Sequence, residues 1–158
     1  MPNKEAEGVR LVYLFNRSIS VNVRTEDEKT ITVTGVFLDT LHELCITLGA
    51  DFESNTIISA DGEFRRVPHT DCGQTQKLIN NLVGVNLNSN VRKQIQVAVG
   101  LNNGCTHLTD LTLECVKGLL QAKFYLMQLT MQKEEIKGQF EQYLEKNLEG
   151  TCLHYKVN

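Results

Sequence analysis

The strongest constraint on this chain is a change of hydrophobic period at Pro68. Before it, short β-branched and aromatic stretches alternate with polar turns. After it, apolar residues recur three and four apart. A chain of this kind has a sheet to build first and helices to lay on it afterwards.

Residues 11–23 (LVYLFNRSISVNV) read as a first strand and, after the polar TEDEK, residues 31–38 (ITVTGVFL) as a second. LHELCITLGA (about 41–50) is the third, DFESN the next turn, and TIISA opens a fourth, with Asp61-Gly62 either bending it or closing another hairpin. Short links favour antiparallel neighbours, because parallel strands need longer crossovers. Alternation along the third strand puts Leu38, Thr40, His42, Leu44, Ile46 and Leu48 on one, more apolar side. Asp39, Leu41, Glu43, Cys45, Thr47 and Gly49 fall on the other.

Past Pro68, DCGQTQKLINNLVG reads as a helix, with Asp71 capping it, Gln74 completing a capping box and Gly84 as its stop. NSNVRKQIQVAV (88–99) suggests a second helix through Val91, Ile95 and Val99. The third spans about 106–131, its buried stripe being Leu108, Leu111, Cys115, Leu119, Ala122, Leu126 and Leu129. The charged QKEEIKGQFEQYLEKNLEG either prolongs this helix or adds a shorter one ending near Gly150. The fold class is therefore α+β: an antiparallel sheet of three to four strands, then helices on one face with a long C-terminal helix. The expected organisation is a flexible N-terminus (1–10), a single domain (11–148) and a tail (149–158).

Composition narrows the function. A net charge of -3 over 158 residues gives no basic footprint, which argues against nucleic acid as a partner. No apolar run approaches the roughly 18 residues that span a bilayer, and MPNKEAEGVR has no apolar signal segment. Five cysteines, an odd number without a CxxC pair, imply reduced thiols and a cytoplasmic setting. Phosphate-binding glycine loops, a GxSxG elbow and an HExxH pair are absent.

The chemistry concentrates at NNGCTHLTDL (102–111). Thr106 is placed to cap the long helix, with Cys105 just before it and His107 in its first turn. Cys72 stands likewise beside Asp71 at the start of the first helix. Thiols near positive helix ends are favoured as thiolates, the form that binds metal or attacks carbon. With His42 from the sheet's inner side, Cys72, Cys105 and His107 make a donor set suited to tetrahedral zinc. The blander readings are that a helix-start cysteine fills space and that His42 is a hydrogen-bonded core residue. His69 reads as a loop histidine, Cys115 as core, and Cys152 with His154 as tail residues. Arg65 and Arg66 either hold an anionic ligand or end a strand in solvent. KEEIKGQFEQYLEK is a solvated helix face, or else a surface for a protein partner or a second copy.

Taken in order, Gly35 to Asp39 (GVFLD), His42, Cys72, Leu82-Val83-Gly84 and Gly104 to Leu108 (GCTHL) resemble a bacterial family, domain of unknown function 2889, over about residues 17–125. That resemblance implies no activity. The order of elements is also similar to that of IscU-type iron–sulfur scaffold proteins, whose ligands come from a strand-end turn, a helix start and a Cys-His pair opening the last long helix. The similarity implies a metal site at His42, Cys72, Cys105 and His107, with a histidine where the scaffolds use cysteine. Fewer thiolates favour zinc over a labile cluster. Three functions remain open: a metal-binding domain, a metal-free cysteine enzyme with Cys105 as nucleophile and His107 or His42 as base, and a non-catalytic binding module.

Overall fold

A computed structural model describes residues 12–157 apart from 26, 28 and 131–133. The flexible segment expected at 1–10 lies outside them. Four strands, β1 (Arg17–Thr25), β2 (Thr30–Asp39), β3 (Glu43–Asp51) and β4 (Thr56–Arg66), form an antiparallel meander in the order β1-β2-β3-β4. Then come a single turn α1 (Thr70–Gly73), a 3-10 helix (Gln74–Leu82), α2 (Val91–Val99), α3 (Thr106–Thr130) and α4 (Glu134–Leu148). The α+β class expected of the sequence is the one observed.

One face of the sheet is the core. Ile31, Val33 and Phe37 of β2, Leu44, Ile46 and Leu48 of β3 and Ile57 of β4 are buried, as are Leu108, Leu111, Cys115 and Leu119 of α3, which lies against β1, β2 and β3. Ile95 and Val99 of α2 and Ile79 and Leu82 of the 3-10 helix complete it. At 1.5 Å per residue the 25 residues of α3 extend about 38 Å, longer than the roughly 33 Å of a ten-residue strand. The apolar stripe accordingly outruns its cover. Ala122 and Leu126 are only partly buried, and Leu129 is 46% exposed.

Several local expectations change. The first strand begins at Arg17, not residue 11, because Arg17 pairs with Asp39 and β2 turns away there, leaving 12–16 no strand to bond. Asp61-Gly62 neither bends nor closes β4: both pair with β3, Thr47 to Asp61 and Ile46 to Gly62, and the register shifts lie elsewhere, opposite Glu43/Leu44 and Gly49/Ala50. Asp71 forms no side-chain cap, and residues 74–82 wind as a 3-10 helix instead of continuing an α-helix. α2 starts at Val91, after Asn90 in the left-handed region (φ 50°). The charged continuation is a separate helix, α4, on which Glu141, Glu145 and Lys146 are exposed.

Candidate functional site

The turn between β2 and β3 is a two-residue loop, Thr40-Leu41, closed by the Asp39 N–H donating to the His42 carbonyl at 3.0 Å. Residues facing each other across such a closure share a side of the sheet. Asp39 and His42 therefore both point inward and are buried, whereas Leu38 and Thr40 are exposed. Unbroken alternation from 38 to 48 had placed Leu38 and Thr40 beside His42, and Asp39 opposite. The turn shifts the parity by one and brings the carboxylate to the imidazole.

Asp39 Oδ1 accepts three hydrogen bonds: from the Leu41 N–H (2.8 Å), the His42 N–H (2.7 Å) and His42 Nδ1 (2.9 Å). Oδ2 faces the Arg17 guanidinium at 3.6 Å. Burial pushes the Asp39 carboxyl up, but the Leu41 N–H, the His42 ring and the His42 N–H outweigh it and hold the pKa down at about 2. The carboxylate is thus ionised at neutral pH. An ionised carboxylate can only accept, so Nδ1 is the protonated nitrogen in that bond and Nε2 is the ring nitrogen left for another partner.

His107 arrives from the other half of the chain. Gly104 makes the approach possible: a Cβ there would run into the carbonyl oxygens of Val99 and Gly100. Across that tight turn the Cys105 N–H bonds the Val99 carbonyl at 2.8 Å, aiming α3 at the sheet. Cys105, not Thr106, caps the helix. Its carbonyl accepts the Thr109 N–H (2.9 Å) and its Sγ accepts the Leu108 N–H (3.4 Å). Two residues later, the His107 ring lies 3.8 Å from that of His42, centroid to centroid, tilted by 37°. Both rings pack against Phe37, at 5.1 Å for His107 and 6.4 Å for His42. Burial, and then the nearby His42, lower the pKa of His107, which favours its neutral imidazole.

Among the described residues, the donor atoms of Asp39, His42 and His107 lie within 4.8 Å of one another. The structure brings together His42 and His107 from the expected set. Cys72 and Cys105 do not join that group. Cys72 sits half-buried in the single turn α1, its N–H on the His69 carbonyl and its carbonyl taken by Thr75 Oγ1. Asp39 was missed by reading the strands as one alternating run, although it closes the GVFLD motif. Arg17 was missed because nothing in its local sequence shows the pairing with residue 39 that places it there.

The model of the family described as "Protein of unknown function (DUF2889)" matches residues 15–121, which include every residue of this cluster. The chain belongs to this family. No curated protein and no solved structure matches it, and the likeness to IscU-type scaffolds finds no support in these comparisons. As a member of the DUF2889 family the chain inherits no assigned activity, so its chemistry has to be argued from the cluster. No helix among the described residues is long and apolar enough to cross a membrane.

Proposed function

We propose that the domain holds a divalent, zinc-like ion between His42 and His107. The observation that carries this reading is the pair of imidazoles 3.8 Å apart, one with its Nδ1 bonded to Asp39. A metal binds the neutral ring nitrogen, and a carboxylate on the far nitrogen is the usual way such a ligand is oriented. Tetrahedral bonds of about 2.1 Å put donor atoms roughly 3.4 Å apart, and donor atoms of Asp39, His42 and His107 lie within 4.8 Å of one another. Cys105, two residues from His107, and Cys72 are the thiols that would complete the set by moving inward. A reduced, cytoplasmic setting suits five free cysteines.

The test is metal analysis of untagged protein, loaded with zinc and then desalted, beside His42→Ala, His107→Ala, Cys72→Ser and Cys105→Ser. Loss of metal in both histidine variants supports the reading. Retention of metal by both, or none in the parent protein, overturns it. In the cobalt-loaded protein, a thiolate-to-metal charge-transfer band that vanishes in Cys105→Ser would assign that sulfur; its absence would leave nitrogen and oxygen ligands only.

A second reading has one observation in its favour: the Leu108 N–H points at Cys105 Sγ at the start of a 25-residue helix. Cys105 would then act as a nucleophile. Alkylation of Cys105 at mildly acidic pH supports it, and alkylation only at alkaline pH counts against it.

A further inference from the structure

The two arginines that end β4 have different surroundings. Arg65 is paired with Glu63 and Glu43. Arg66 forms no ion pair with an acidic side chain among the described residues. Its Nη2 donates to the carbonyl oxygens of Asp39 (2.8 Å) and His42 (3.4 Å), which holds the guanidinium across the mouth of the β2–β3 turn. Its Nε and Nη1 meet no protein acceptor among the described residues.

That guanidinium lines a groove of about 440 Å³ together with Tyr13, Phe15, Leu38 and Asp39. Three of these are large apolar groups left open, Tyr13 at 96%, Phe15 at 59% and Leu38 at 39% exposure. Asp39 is the acidic residue of the groove, and its charge is already answered: three donors fill Oδ1 and Arg17 faces Oδ2. With the Asp39 carboxylate engaged by those donors and by Arg17, Arg66 is the cation of the groove lining whose charge no acidic side chain pairs among the described residues. A positioned cation with unused donors, beside apolar rings in a space of small-molecule size, has the makings of a ligand site.

We infer that this groove binds a small organic oxyanion, with its carboxylate or phosphate on Arg66 and its apolar body against Tyr13, Phe15 and Leu38. The inference is independent of a metal at His42 and His107: the groove's cation is in place without one, and the oxyanion meets Arg66, not an imidazole.

The experiment is an amide NMR titration of the full chain with benzoate and with phenyl phosphate, and with inorganic phosphate and benzylamine as comparators. Saturable shifts at Tyr13, Leu38 and Thr40 with either organic anion are expected, the tighter of the two naming the oxyanion. Arg66→Gln should weaken binding roughly ten- to hundredfold, the usual worth of a hydrogen bond to a charged group, and Arg66→Lys should restore part of it. Phe15→Ala alters an exposed side chain and should weaken binding in a folded protein, so it decides the matter if Arg66→Gln fails to fold. No saturable shift with either organic anion overturns the inference. So does benzylamine or inorganic phosphate binding as tightly as they do, or unchanged affinity in Phe15→Ala. Metal content measured in the same Arg66 variants separates failure here from failure of the metal reading.

Discussion

Gly35→Ala is a sensitive probe of how α3 lies on the sheet. Gly35 is on the inward side of β2, and a Cβ there would overlap Cys115 Sγ and stand 3.0 Å from Leu111 Cδ1. With open space, replacing a strand-interior glycine by alanine would stabilise the fold by roughly 0.5–1 kcal/mol through chain entropy. The overlap reverses the sign: packing an extra methyl into a filled core costs about 1–3 kcal/mol. The net expectation is a loss of about 1–2 kcal/mol, read as a lower urea midpoint with an unchanged slope. Cys115→Ala removes the sulfur that the new methyl would strike, so the cost of Gly35→Ala should shrink by at least about 1 kcal/mol in that background, a coupling within the range for touching residues. Strictly additive single and double variants, or a stabilising Gly35→Ala in the parent protein, would refute the packing argument.

Three further outcomes are expected. The Asp39 carboxyl is lowered from 3.8 to about 2, so its contribution is complete above pH 3.8 and lost as pH falls through about 2. At 1.36 kcal/mol per pKa unit this is about 2 kcal/mol of acid-labile stability, which denaturation curves between about pH 5 and pH 2 should show in the parent and not in Asp39→Asn. Cys115 is buried with its thiol pushed up to about 12, whereas Cys152 is exposed and lowered by the N–H groups of Tyr155 and His154. Mass spectrometry of partly alkylated native protein should find Cys152 modified first and Cys115 last, and the reverse order would contradict the burial of Cys115. Gly104→Ala should cost stability and also weaken metal retention, because its methyl strikes backbone carbonyls and displaces the start of α3; a variant with full metal content would separate His107 placement from that turn.

The long-range plan was legible because burial imposes a period on sequence. β2, β3 and the first half of α3 each bury one side, so alternation in the strands and three-four spacing in the helix marked them. Features set by pairing were not legible. LVYLFN has strand composition, but residues 12–16 lie beyond the last pair, Arg17 with Asp39, and stay exposed. The 74–82 segment has the apolar spacing of a helix, which does not distinguish 3-10 from α winding. At the site, His42 and His107 were found by residue type and position, whereas Asp39 depended on a parity change set by loop length.

His42 and Asp39 belong to one hairpin and can find each other as soon as its two-residue loop closes. His107 reaches them only when α3 has settled on the finished sheet. Anything that grips both imidazoles therefore acts as a clasp between the early and late portions of the chain. Such a ligand recognises the assembled form alone, and at a hundredfold excess over its dissociation constant it would add about 2.7 kcal/mol against unfolding. Heat resistance that climbs with added zinc would thus measure how firmly α3 is fastened down.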